Sequence, residues 1–192
     1  DMGDRRGARD LGHDSLAGRV ADFGQRRGFA NAFETVHRRA GRQGSAGQGL
    51  NIVVRKYSSA GTILWTQTVN GTANLDDYGQ GIAVDAMGNV FVIGYVANVG
   101  TNEDIFIRKY NGASGATIWT QSYNGPLNLN DEGYGVAVNA TGDIYVAGAV
   151  QNVAGQSYNL WYAKLAGING TVVYQNAING AANDIDAGIG VT

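Results

Sequence analysis

The side chains able to do acid–base or metal chemistry are few and unevenly placed. His13 and His37 are the only histidines, and there is no cysteine. Disulfides and thiolate metal sites are therefore excluded. Neither histidine has a second ligand or a nucleophile at a usable spacing, so both are expected to be solvated. A more regular set of oxygen donors occurs in three Asn/Asp-rich stretches: Asn74-Leu75-Asp76-Asp77, Asn128-Leu129-Asn130-Asp131-Glu132 and Asn183-Asp184-Ile185-Asp186. Asp76, Asp77, Asp131, Asp184 and Asp186 are thus candidate ligands for calcium, a hard cation that prefers oxygen. The opposing reading is that Asn and Asp cap turns and tolerate left-handed backbone. None of the three stretches has the D-x-[DN]-x-[DN]-G spacing of a helix-loop-helix calcium loop.

Three aromatic residues, Trp65, Trp119 and Tyr174, are separated by nearly constant steps. They are candidates for a platform that stacks on a sugar or peptide, although an aromatic recurring at a fixed position is also what a packed core requires. The pairs Arg55-Lys56 and Arg108-Lys109 end two apolar runs and read as solvated charge that protects strand edges. No nucleophile–base or paired-carboxylate arrangement is present, so no enzymatic activity is expected.

The elements that must position these residues repeat. Ala83-Val84-Asp85-Ala86-Met87-Gly88-Asn89-Val90 returns as Ala137-Val138-Asn139-Ala140-Thr141-Gly142-Asp143-Ile144. Asn51-Ile52-Val53-Val54-Arg55-Lys56-Tyr57 returns at Asp104 to Tyr110 and, more loosely, at Asn159 to Leu165. The step is about 54 residues. Each segment is rich in Val, Ile, Tyr, Phe, Trp and Thr and is bounded by Gly, Asn, Asp or Ser, which is the strand signature. In the best-defined unit the strands are expected near 80–85, 90–96, 104–110 and 116–123. Gly88 supplies a positive φ for the first turn, and Asp85 caps it. Short connections force antiparallel pairing, so the unit is a four-stranded meander. Its second strand, Val90-Phe91-Val92-Ile93-Gly94-Tyr95-Val96, is apolar on both alternating faces, so both faces must be covered by neighbouring units.

The pattern G-x-A-V-D-x-x-G-N-V-F-V-x-G at Gly81 to Gly94, repeated with Asn139 and Asp143 at Gly135 to Gly148, is followed by D-I-F-I-R-K-Y and G-x-x-x-W. It resembles the bacterial seven-bladed β-propeller repeat known as the SBBP repeat, over roughly residues 49–192. The resemblance implies an all-β fold of tandem four-stranded antiparallel blades, a partial β-propeller. It also implies a secreted or cell-surface protein whose blades have no assigned chemistry. The G-x-x-x-W ending is similar to the tryptophan motif of quinoprotein propellers as well, without that family's adjacent cysteines or a recognisable cofactor-ligand set.

The units divide the chain into 49–76 (half a blade), 77–130 (a blade), 131–185 (a blade) and 186–192, with a first-strand stub at Gly188-Ile189-Gly190-Val191. That makes about two and two-thirds units, and closed propellers use roughly four to eight. Residues 1–48 differ in composition: they hold nine arginines, no lysine and six acidic residues, whereas 49–192 hold five basic and ten acidic residues. Their arginines are not interleaved with aromatics, so nucleic acid is not an expected partner. Leu16, Val20, Phe23, Phe29, Phe33 and Val36 have a spacing that a helix over 15–40 could partly use. The alternative is a degenerate blade, in which the second strand expected around Val36 has been altered by a frame-shifted reading of the gene. No run of 18 apolar residues occurs, so no transmembrane helix is expected. The sequence begins at Asp1 and carries no intact signal peptide, as expected of a mature, trimmed or partial chain.

The function expected from these residues is a non-enzymatic scaffold or interaction module, extracellular or at the cell surface, with a protein or glycan partner. Self-association that completes blades is a further possibility. Two alternatives stand beside it. One is a piece of a quinoprotein-like or lyase-like propeller enzyme with its catalytic residues on other blades. The other is a calcium-stabilised carbohydrate- or protein-binding module.

Overall fold

The structure, a computed structural model, describes residues 19–21 and 32–39 as backbone strands and residues 49–191 in full. The first sheet contains β1 (Arg19–Ala21), β2 (Ala32–Arg39), β3 (Leu50–Tyr57) and β4 (Ile63–Val69). The second contains β5 (Tyr78–Val84), β6 (Val90–Asn98), β7 (Asn102–Tyr110) and β8 (Thr117–Tyr123). The third contains β9 (Asp131–Val138), β10 (Ile144–Val150), β11 (Asn159–Leu165) and β12 (Val172–Ile178). Every pairing is antiparallel between consecutive strands, so each sheet is a meander. Among the described residues no helix is long and apolar enough to cross a membrane.

The core follows from the two-residue period of β6. Val90, Val92 and Val96 join Ile52, Val54, Trp65 and Val69 of the first blade in one cluster. The alternate residues Phe91 and Ile93 join Val136, Ile144, Val146 and Trp161 of the third blade in another. β6 is therefore buried on both faces along nearly its whole length, as its composition requires. Fully burying each such side chain contributes about 1.5–3 kcal/mol, so stacking rather than any single sheet holds the array together. The Asp85 turn forms as expected: Asp85 Oδ1 accepts from the backbone N–H of Met87 (3.0 Å) and Asn89 (2.8 Å), and Gly88 has φ +83°.

Three expectations are corrected. The stretch 15–40 is not a helix where it is described, because β1 and β2 lie within it. The residues at 49–76 are consequently not half a blade, since β2 pairs along all of β3. The physical reason is that a ladder is made by backbone groups. Ile52, Val53 and Val54 are buried, and their strand has an edge to satisfy. The β2 register also differs from a simple 54-residue step. Ala32 lies opposite Tyr57, as Val90 lies opposite Tyr110, so Ala32 rather than Val36 holds the position of Val90.

The third correction concerns Gly188 to Val191, which is not a strand. Among the described residues no second strand pairs with it. It is nevertheless laid on the third blade: Gly188 N–H donates to the Gly148 carbonyl (3.1 Å), and a Cβ at Gly188 would press on Leu160 and Ala147. Gly133 of β9 meets Ile93 and Gly94 of the second blade in the same way. The segment thus occupies the place of an innermost strand without its ladder.

Candidate functional site

The Asn/Asp-rich stretches are the connections that enter the second and third blades and leave the third. Each reads N-G-x-x-N-x-x-D: Asn70-Gly71-Asn74-Asp77, Asn124-Gly125-Asn128-Asp131 and Asn179-Gly180-Asn183-Asp186. The middle asparagines adopt left-handed backbone, with φ of 56°, 53° and 53°. Each accepts a hydrogen bond on its side-chain oxygen from the first asparagine of its motif. The aspartates close the loops. Asp77, with no exposed surface, accepts from Gly71 N–H (2.9 Å) and Ala97 N–H (2.8 Å). Asp131, equally buried, accepts from Gly125 and Gln151 N–H, and Asp186 accepts from Gly180 N–H. Each of the first two carboxylates thus ties a connection to the end of the second strand of the blade it enters.

This geometry separates the calcium candidates. Asp76 is exposed, and its Oδ1 accepts from Leu50 N–H (2.7 Å). Asp184 is exposed and accepts from Ile185 N–H (2.8 Å). Asp77, Asp131 and Asp186 belong to three different connections and bind backbone amides. Among the described residues no group of three or more His, Cys, Asp or Glu is placed to hold a metal ion. His13 lies outside the described residues, and His37 is on β2.

The aromatic candidates do not share a surface either. Trp65 and Trp119 are buried, and each reaches the following blade. Trp65 Nε1 donates to the Gly112 carbonyl (3.2 Å) and Trp119 Nε1 to the Gly167 carbonyl (3.1 Å). The indoles lie against Gly115 and Gly170, where a Cβ would come within 2.8 Å of the ring. Tyr174 occupies the corresponding position of the third blade and is 46% exposed.

The Arg-Lys pairs are the fourth correction, since their lysines are not solvated edge charges. Lys56 Nζ donates to the same Gly112 carbonyl (2.7 Å), and Lys109 Nζ to Gly167 (2.8 Å). Lys109 is buried and also pairs with Asp85 at 3.2 Å. A lysine side chain can carry its charge across a blade boundary when a carbonyl and a carboxylate wait there. Arg108 lies over the Phe106 ring (4.7 Å), and its Nε donates to Thr120 Oγ1 (2.7 Å).

The charged groups sort to opposite ends of the strands. Arg55, Lys56, Arg108, Lys109 and Lys164 lie toward the end bearing the Asp85 turn. At the other end, with the N-G-x-x-N-x-x-D connections, lie Asp76, Asp77, Glu103, Asp104, Asp131 and Glu132. A cleft of about 400 Å³ opens there, lined by Leu75, Asp76, Asn98, Asn102, Glu103 and Asn130, among others. Beside it Glu132 accepts from Tyr134 and Tyr158 hydroxyls, both at 2.8 Å, and the Tyr78 and Tyr95 rings lie 5.1 Å apart. Burial, followed by the Glu132 charge, raises the Glu103 carboxyl above its ordinary range. Tyr134 and Tyr158 are raised too, by burial and then by their bonds to Glu132. The arrangement offers hydrogen bonds to polar groups. Residues 49–191 contain no His or Cys to act as base or nucleophile. Sequence reasoning passed over this cluster; its signal was Glu132 and Tyr134, two apart and so on one face of a strand.

Three stacked four-stranded meanders, each gripping the next, define a β-propeller-type blade array. No known family matches the sequence, and no curated protein matches it. Among solved structures the chain is similar to BamB from Moraxella catarrhalis, with 11% identity and a TM-score of 0.29 over 75% of this chain. The chain spans 52% of that protein.

Proposed function

We infer that the chain is a non-enzymatic scaffold: a run of propeller blades of the SBBP-like type, belonging to a bacterial protein that is secreted or displayed at the cell surface. The observation that supports this reading is where the reactive side chains are used. Lys56, Trp65, Lys109 and Trp119 hold carbonyls of the next blade, and Asp77, Asp131 and Asp186 hold backbone amides. Side chains committed to such bonds are not free for catalysis, and their work is to propagate one blade onto another.

The same reading gives the third blade a partner. Its outward face carries Tyr145, Leu160, Tyr162 and Tyr174 where the second blade carries Phe91, Ile105, Ile107 and Trp119. Lys164 stands in the place of Lys109 and pairs with Asp143 at 3.0 Å. A further blade, supplied in the isolated chain by a second copy, fits this face. Light scattering tests it. The chain should exceed its monomer mass of 20.1 kDa at micromolar concentration, and a Lys164→Ala/Tyr174→Ala variant should return to that mass. A monodisperse wild-type monomer would overturn the assignment.

A further inference from the structure

The three third strands begin with Asn51, Asp104 and Asn159, one repeat position apart. All three side chains are at least nine-tenths buried, and in each the Oδ1 atom has no hydrogen-bond partner. Two of the three are neutral amides. The third, Asp104, is a carboxylate, and it lies at the junction whose connection is closed by the buried Asp131. Ile105 pairs with Tyr123 across the ladder, so Asp104 lies beside the chain that leads into Gly125, and Gly125 is held by Asp131. Asp104 Oδ2 is engaged by Asn98 Nδ2 (2.7 Å) and Thr101 Oγ1 (2.8 Å). No cation balances the pair: Arg108, the nearest on β7, is four residues along the strand, about 13 Å away.

We propose that the Asp104 and Asp131 carboxylates together hold one proton at the junction of the second and third blades, so that mild acid tightens this junction and neutral pH loosens it. Two buried like charges without a counter-charge favour sharing a proton over ionising together. The groups acting on Asp131 agree with this. Burial raises its carboxyl to about 6 against the bonds from Gly125 and Gln151 that lower it, and the Asp104 charge raises it further. Tyr123 of β8 is the other titratable group that senses Asp131, and it is itself raised, first by burial. Gln151, at the end of β10, is neutral.

The sign follows from linkage. A carboxyl raised in the folded state binds its proton there at a pH where the unfolded chain has released it. The stabilisation is complete below the ordinary carboxylate value of 3.8 and is lost as pH rises through about 6. Asp77, which is also raised by burial, has Asn51 as its repeat neighbour and contributes the same slope with or without Asp104. The test is Asp104→Asn, which restores the residue found at positions 51 and 159.

Two measurements decide it: the NMR titration of the Asp131 carboxyl carbon, and urea midpoints between pH 7.5 and 4.5. Asp131 should titrate well above the usual carboxylate range, and the wild-type midpoint should rise on acidification. Asp104→Asn should lower the Asp131 titration by roughly half a unit or more and make the midpoint less dependent on pH. An Asp131 that titrates in the usual range, or a variant that leaves both titration and slope unmoved, overturns the proposal. Should the variant fail to fold, the wild-type titration decides alone.

Discussion

The indole N–H of Trp119 donates to the carbonyl of Gly167, 3.1 Å away on the following blade. One side chain thus fills the space between two sheets and satisfies a buried carbonyl. Trp119→Ala should cost about 3–5 kcal/mol of unfolding free energy, read from urea denaturation. Trp119→Phe keeps most of the packing and gives up the hydrogen bond, so its loss should be nearer 1 kcal/mol. Equal losses in the two variants would show that the hydrogen bond, not the packing, dominates.

Lys109 is the second tie across this boundary, shared between Gly167 and Asp85. Burial opposes ionisation of Asp85, but Asn89 and Lys109 outweigh it and hold the carboxyl below its ordinary value. Removing one partner of a buried pair leaves the other charge unbalanced, so Lys109→Met should destabilise by about 3 kcal/mol at neutral pH. A depressed carboxyl contributes stability above its unfolded value of 3.8, and that contribution disappears as pH falls through the folded value. The difference between wild type and variant should therefore shrink below about pH 4. A pH-independent difference in thermal or urea unfolding would refute this.

The calcium reading has a direct check. The carboxylates of Asp77, Asp131 and Asp186 already accept backbone N–H bonds, and Asp76 and Asp184 are exposed and on separate connections. The melting temperature should be the same in millimolar calcium and in EDTA. A calcium-dependent rise would mean native-state binding and would require a donor set that includes backbone carbonyls.

Gly170 sits at φ +76° with the Trp119 ring where a Cβ would be. Gly170→Ala should therefore strain the turn and displace the indole, at a cost of about 1–2 kcal/mol for the left-handed backbone alone. Gly142→Ala has a comparable φ of +88° but open space around it. The two variants, compared by thermal melting, separate the backbone cost from the packing cost, and Gly170→Ala should be the more damaging.

Much of the repeat was legible because side-chain pattern and strand geometry share a period of two. Val90 to Val96 could only be a strand covered on both sides. The Trp65 and Trp119 positions were legible as recurring core, but their carbonyl partners were not, since Gly112 and Gly167 lie 47 and 48 residues away. The lysines were misread for the same reason: Lys109 at a strand end is ordinarily solvated, and only the next blade supplies Gly167. The aspartates posed a subtler problem. Asp77 looks like a metal ligand because its backbone partner, Ala97, is 20 residues on. β2 was hidden because Ala32–Arg39 lacks the repeat's apolar alternation, while the ladder it joins is formed by backbone groups that every sequence possesses.

The N-G-x-x-N-x-x-D connection also sets how the array bears load. Asp77 and Asp131 each fasten a connection to the blade that follows it, so tension applied along the chain reaches one clasp before the next. Blades joined in this way give way singly rather than all at once. Each released blade of about 54 residues pays out close to 190 Å of extended chain, which makes the array an extensible tether whose length grows in blade-sized steps.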